Sequence, residues 1–166
     1  MILYIVRHAI AVPRGAPGIA EDDRPLTKEG IDKMQESGAG LKILGAVPEI
    51  ILSSPLLRAK QTAEILKEAF GKKTPLILIQ ALEPGGSRSE VYREIRERQE
   101  AGRLMLVGHQ PSLGEIAGEI AWGSAEHYLE LKKGGACALE IERIGDVPEG
   151  TLLWLLTPAL LRATAG

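Results

Sequence analysis

Short apolar runs alternate with longer segments of helical periodicity along most of this chain. The runs of strand length cover residues 2–6, 49–53, 75–79 and 103–107. Apolar positions three or four residues apart predict four helices, over 28–44, 55–70, from Ser87 or Ser89 to Glu100, and from Gln110 or Ser112 to about Ala121. Two later apolar segments, Ala136–Glu142 and Leu152–Leu156, predict a pair of closing strands.

Polar residues mark the beginnings of the first two predicted helices. Thr27 and Ser54 each precede a helical pattern, where a hydroxyl can accept a hydrogen bond from a free backbone N–H. Pro55 would then occupy the first position of the second helix, where no N–H is needed.

The alternation of strands and helices predicts an α/β protein with three layers, α/β/α, around a mainly parallel sheet. The closing strands are joined by a turn rich in Gly, Asp and Pro at 145–150, which predicts an antiparallel edge. The chain has 166 residues and no linker rich enough to divide it, so we expect a single domain over residues 1–166.

Composition narrows the classes of function. The net charge is −2 and the basic residues are dispersed, which argues against a nucleic-acid partner. No apolar stretch approaches the roughly 20 residues of a membrane span. The single cysteine, Cys137, leaves no internal disulfide and no cysteine metal site; we interpret it as a core residue and expect a cytoplasmic protein.

Basic residues and histidines follow three of the predicted strands. Arg7 and His8 follow the first, Arg58 lies early in the helix after the second, and His109 follows the fourth. Ligands of open α/β sheets bind at the carboxyl ends of the strands, so these side chains should meet at one edge. Two helix beginnings at the same edge also favour an anion. The pattern therefore predicts a pocket for a phosphoryl group, beside a long loop over residues 13–25.

Several motifs resemble the histidine phosphatase superfamily, which includes the phosphoglycerate mutase-like enzymes. They are Arg7-His8-Ala9, Ser54-Pro55-x-x-Arg58-Ala59-x-Gln61-Thr62 and Gly108-His109. Ala9 replaces the glycine of the usual Arg-His-Gly motif. Two further segments and the short length are most similar to the SixA-type phosphohistidine phosphatases; the segments are Arg24-Pro25-Leu26-Thr27-x-x-Gly30 and Leu82-x-Pro84-x-Gly86.

The resemblance implies a role for each matching residue. His8 would be the nucleophile that becomes phosphorylated, Arg7 and Arg58 would bind phosphoryl oxygens, and His109 would stabilise charge in the transition state. Arg24 would reach the site from the long loop. No metal and no cofactor is implied, because fixed cationic side chains neutralise the phosphoryl charge.

The general acid is left open by the sequence. Larger relatives place a glutamate between the second arginine motif and the second histidine, and Glu83 lies in that region. The SixA-type pattern does not require an acid, since a protonated imidazole leaves readily whereas an alkoxide needs a proton donor. Glu83 is accordingly either a general acid or a solvated loop residue.

We expect a metal-independent phosphatase that hydrolyses phosphohistidine on proteins through a covalent intermediate at His8. Little chain remains between Arg58 and His109 for a helical lid, so an open site would admit a side chain on a protein surface. The partner would be a phosphorylated protein or a small phosphate ester, with no nucleic acid or membrane involved. Two alternatives stay open: a small-molecule phosphomonoester phosphatase of the same superfamily, and a non-catalytic phosphate-binding module.

Overall fold

The computed structural model describes all residues from Met1 to Gly166. Six strands and five helices follow one another along the chain. The strands are β1 (Ile2–Arg7), β2 (Ile50–Ser53), β3 (Leu76–Leu78), β4 (Arg103–Gly108), β5 (Ala136–Arg143) and β6 (Glu149–Leu156). The helices are α1 (Lys28–Ile43), α2 (Leu57–Phe70), α3 (Arg88–Glu97), α4 (Ser112–Trp122) and α5 (Pro158–Thr164), with a short 3-10 turn at Gln80–Leu82.

All strands belong to one mixed sheet in the order β3-β2-β4-β1-β5-β6. The strands from β3 to β1 are parallel, whereas β5 is antiparallel to β1 and β6 is antiparallel to β5. Both the mainly parallel sheet and its antiparallel edge are thus confirmed. The parallel register sets Arg7 beside Gly108 and Ser53 beside Val107, so the carboxyl ends of β1, β2 and β4 share one edge.

Alternating residues of the central strands fill two separate cores. In β1, Leu3 and Ile5 pack with α3 and α4, while Tyr4 and Val6 pack with α1, α2 and α5. This two-residue period is the ordinary geometry of a strand buried on both faces. The predicted three-layer arrangement is therefore confirmed. Cys137 is fully buried in the first core, as expected.

Of the two predicted N-caps, only the one at Thr27 is present in the structure. The Thr27 hydroxyl accepts from the N–H of Gly30, which confirms the cap on α1. The prediction for Ser54 is wrong, because α2 begins two residues later, at Leu57, and Leu56 precedes it without a side-chain cap. The Ser54 hydroxyl lies instead at the sheet edge and is hydrogen-bonded to His109.

The end of the chain departs further from the sequence prediction. β6 begins at Glu149 and includes Gly150, which the sequence assigned to a turn. A side chain at Gly150 would place its Cβ 2.3 Å from the carbonyl oxygen of Glu140, so close strand approach explains this glycine. Helix α5 was not predicted because it is too short to show periodicity; Thr157 caps it and Leu161 is fully buried against α1. None of the helices has the length and apolar character of a membrane span.

Gly30 lies where α1 crosses the segment after His8. A Cβ at this position would be 2.1 Å from the carbonyl oxygen of Ile10. The same carbonyl accepts a hydrogen bond from the N–H of Thr27, so the start of α1 is held against the segment that follows β1. The glycine of the Pro-Leu-Thr-x-x-Gly motif is therefore required by backbone contact.

We expect Gly30→Ala to lower the free energy of unfolding by about 1–3 kcal/mol through overpacking. The loss should occur although alanine is favoured over glycine in helices by about 1 kcal/mol. Gly38→Ala is the matched control in α1, because its Cβ would meet the Ala69 side chain at 3.1 Å and no backbone. Urea denaturation measures both changes; an equal or smaller loss in Gly30→Ala would contradict the backbone clash.

Candidate active site

A cleft of about 520 Å³ opens at the edge where β1, β2 and β4 end. The structure brings five of the six predicted site residues into its lining, namely Arg7, His8, Arg24, Arg58 and His109. The other lining residues are Ile10, Ala11, Pro13, Arg14, Pro84, Gln110 and Lys133. No carboxylate lines the cleft, so its wall is strongly cationic.

The chain after β1 is held from both sides. The N–H of His8 donates to the carbonyl of Gly108 at 2.9 Å, which continues the pairing with β4 beyond the strand. On the other side, the N–H of Gly134 donates to the carbonyls of Arg7 and His8, each at 3.1 Å. The backbone that carries the histidine is therefore rigidly placed.

The His8 ring presents one nitrogen to the cleft. Its Nδ1 lies 2.8 Å from the carbonyl oxygen of Ala9. A carbonyl can only accept, so the proton is on Nδ1 and the lone pair is on Nε2. Burial, together with the repulsion from Arg58, Arg7 and Lys133, lowers the pKa of His8 to about 4, and the hydrogen bond to Ala9 offsets only part of this shift. A neutral imidazole with a free Nε2 is a nucleophile at neutral pH.

Ala9 fits the position where glycine is usual. Its side chain is buried, and no residue other than glycine has a positive φ, so the methyl group adds no backbone strain. The N–H of Ala9 donates to the Thr62 hydroxyl at 3.0 Å, and that hydroxyl donates to the carbonyl of Arg58 at 2.7 Å. These bonds tie the histidine segment to the first turns of α2.

His109 lies next to His8, with 5.1 Å between the ring centroids. Its Nε2 shares a hydrogen bond of 2.8 Å with the Ser54 hydroxyl, and its other ring nitrogen makes none. Burial lowers the pKa of His109 to about 3, assisted by His8 and the surrounding arginines. Ser54 thus orients a second neutral imidazole whose remaining nitrogen is available to a ligand.

Arg7 and Arg58 each keep one buried N–H without a partner. Nη1 of Arg7 donates to the carbonyl of Leu131 at 2.8 Å, and Nη1 of Arg58 donates to the carbonyl of Glu21 at 3.0 Å. The Nε groups of both arginines are buried and have no hydrogen-bond partner. An unsatisfied buried donor on a charged group is costly. Both arginines line the cleft, so their positive charge favours an anion there.

Arg24 reaches the cleft from the long loop, as the sequence predicts. Only 7% of its surface is exposed. Its Nη1 donates to the carbonyl of Val12 at 2.8 Å, and its Nε and Nη2 donate to the carboxylate of Glu21 at 2.9 and 2.8 Å.

Glu83 is the predicted residue that does not line the cleft. It follows the 3-10 turn at Gln80–Leu82, its side chain makes no hydrogen bond or ion pair, and the adjacent Pro84 lines the cleft in its place. A role as general acid therefore stays a prediction.

Sequence reasoning missed Lys133, Arg14 and Gln110 as lining residues, and Ser54 as the partner of His109. One feature of the sequence could have indicated Lys133, because this residue directly precedes the two glycines before β5. Those glycines are hydrogen-bonded to the end of β1: the carbonyl of Gly135 accepts from the N–H of Arg7 at 3.1 Å. No group of three or more His, Cys, Asp or Glu side chains is arranged to hold a metal ion.

The fold and the site define a class of α/β proteins that have a histidine at the end of the first strand, in a cationic cleft suited to a phosphoryl group. Comparisons with known proteins identify the family. Residues 3–83 match the Histidine phosphatase superfamily (branch 1). An uncharacterized protein of Picosynechococcus sp. is 44% identical over 167 residues, 97% of this chain and 99% of its own length. Phosphohistidine phosphatase SixA of Escherichia coli is 24% identical over 164 residues, 98% of this chain and 97% of its own.

A solved structure of the protein histidine phosphatase SixA, complexed with tungstate, superposes with a TM-score of 0.84 at 23% identity. The superposition covers 97% of this chain and 99% of that one. The chain belongs to the histidine phosphatase superfamily, and its similarity to SixA extends over nearly its whole length.

The depressed pKa of His8 makes stability depend on pH. The unfolded chain takes up a proton near the ordinary value of 6.5, whereas the folded protein does so only near 4. Between these values the unfolded state binds more protons, so the free energy of unfolding falls as the pH falls. Between pH 7 and pH 5 we expect the free energy of unfolding to fall by about 2 kcal/mol more in the wild type than in His8→Asn.

Urea denaturation of both proteins at the two pH values gives this difference. An NMR titration of the His8 ring protons checks the cause directly, with a midpoint expected near 4. An identical pH dependence in the two proteins would show that His8 is not desolvated in the folded state.

Proposed function

We propose that this protein is a phosphatase that hydrolyses phosphohistidine on proteins through a covalent intermediate at His8. The observation that carries the proposal is a neutral His8, with its lone pair on Nε2, in a cleft that Arg7 and Arg58 also line. The histidine nitrogen is a nucleophile, and the two arginines supply positive charge and donors for the oxygens of the group that it attacks.

The proposed reaction has two steps. Nε2 of His8 attacks phosphorus, the bond from phosphorus to the substrate nitrogen breaks, and the substrate imidazole leaves with its proton. Water then attacks the phosphorylated His8, the new P–N bond breaks, and inorganic phosphate is released. Arg7 and Arg58 neutralise the phosphoryl oxygens in both steps, while His109, held by Ser54, adds a ring nitrogen. Because fixed arginines supply the positive charge, the reaction should need no metal ion.

The shape of the cleft supports a protein substrate. Between Arg58 and His109 the chain forms the rest of α2, β3, the 3-10 turn, α3 and β4, and from this segment only Pro84 lines the cleft. No additional helix covers the mouth, so a phosphorylated side chain on a protein surface could enter. We place this activity in the cytoplasm, in a single domain spanning residues 1–166.

We expect His8→Ala to lose turnover by roughly 10³-fold or more while it keeps the fold, as removal of a nucleophile does. Release of inorganic phosphate from a phosphohistidine-bearing protein domain and from a panel of phosphomonoesters measures this, with EDTA present throughout. His127→Ala is the control, since His127 is exposed on the surface. A folded His8→Ala protein that retains substantial turnover, or a wild type that needs a divalent ion, would refute the mechanism. Preference for the esters would favour the small-molecule alternative.

Glu83→Gln separates substrates by their leaving groups. Hydrolysis of an alkyl phosphate should fall by about 10²–10⁴-fold if Glu83 is the general acid, because an alkoxide needs a proton. Phosphohistidine hydrolysis should fall little, since the imidazole leaves already protonated, and p-nitrophenyl phosphate should lie nearer to phosphohistidine. The measurement is kcat/KM for the three substrates, with the exposed Glu100→Gln as control. Equal losses on all three would show that Glu83 is structural, and no loss would remove it from the site.

A further inference from the structure

One carboxylate, that of Glu21, contacts three arginines of the cleft. Its Oε1 accepts from Nη2 of Arg24 at 2.8 Å, and the same oxygen lies 3.2 Å from Nε of Arg14 and 3.5 Å from Nη2 of Arg58. Its Oε2 accepts from Nε of Arg24 at 2.9 Å. Glu21 does not itself line the cleft, so it contacts these arginines without filling the space that a ligand would use.

Glu21 uses donors that would otherwise be available to an anion. Together with the carbonyl of Val12 it occupies Nε, Nη1 and Nη2 of Arg24. Its carboxylate also faces Nη2 of Arg58, whose Nη1 is held by the backbone carbonyl of Glu21. Among the buried arginine donors, only the Nε groups of Arg7 and Arg58 are left without a partner.

The positions of these arginines do not depend on the carboxylate alone. Arg24 keeps its bond to the Val12 carbonyl, and Arg58, which is 2% exposed, keeps its bond to the Glu21 backbone and its packing. A glutamine at this position would retain an oxygen that can accept from Arg24. The change from Glu21 to Gln therefore removes a charge while most of the geometry is preserved.

We propose that Glu21 tunes the affinity of the cleft by competing with a phosphoryl group for the donors of Arg24 and Arg58. The Glu21 carboxylate neutralises part of the repulsion among Arg14, Arg24 and Arg58. A phosphoryl dianion carries more charge and more acceptor oxygens than one carboxylate, so it can draw these donors away. The same competition weakens the binding of product phosphate and favours its release.

The inference rests on the proposed function only in that the cleft must bind a phosphoryl group, and it is tested without turnover. Isothermal titration with inorganic phosphate gives the Kd of the wild type, Glu21→Gln and Asp23→Asn. Asp23→Asn is the matched control, because Asp23 is an exposed acid of the same loop with no ion pair. We expect Glu21→Gln to bind phosphate roughly three- to tenfold more tightly, as loss of a partly exposed competing ion pair allows. The control should stay within about twofold of the wild type.

Each outcome distinguishes the two proposals. Unchanged or weaker binding in Glu21→Gln, with normal binding in the wild type, overturns the role of Glu21 as a competitor and leaves the proposed function standing. Equal tightening in Asp23→Asn also overturns it, since a general gain of positive charge would then explain the effect. If neither the wild type nor Glu21→Gln binds phosphate, Glu21 has no competitor in the cleft and this inference fails, while the turnover measurement on phosphohistidine decides the proposed function separately.

Discussion

The cleft depends on how the end of β1 is held. Backbone hydrogen bonds from His8 to Gly108 on one side, and from Gly134 to the carbonyls of Arg7 and His8 on the other, fix the segment that carries the proposed nucleophile, His8. The bond from Nδ1 of His8 to the Ala9 carbonyl then fixes the tautomer of the ring. A flexible attachment at this point would lose the geometry that nucleophilic attack on phosphorus needs.

Burial and positive charge act together around that segment. Both lower the pKa of His8 and of His109, so two neutral imidazoles lie among five cationic side chains, Arg7, Arg14, Arg24, Arg58 and Lys133. Such a concentration of like charge is unfavourable unless it is compensated. Backbone carbonyls and the Glu21 carboxylate compensate part of it. The proposed affinity for a phosphoryl group rests on the positive charge that remains.

Local patterns explain why much of this arrangement could be predicted. Arg7, His8 and His109 follow apolar runs, and Arg58 lies at the start of the helix after another. Parallel pairing brings strand ends together whatever the details of the loops. Thr27 was assigned correctly because a cap depends on its own helix. Ser54 was not, because its hydroxyl is used by His109, 55 positions away in the sequence. The ion pair of Glu21 with Arg58 and the position of Lys133 likewise depend on contacts between distant segments. Gly150 looked like a turn residue since nothing local shows that a neighbouring strand approaches it.

We propose that His8 reacts through Nε2 while Nδ1 is held by the Ala9 carbonyl. Phosphorus NMR of the phosphorylated protein, trapped at short times and denatured, distinguishes phosphate on Nε2 from phosphate on Nδ1. We expect a single phosphohistidine that carries its phosphate on Nε2 and maps to His8. Phosphate on Nδ1 of His8, or on His109 or another residue, would contradict it.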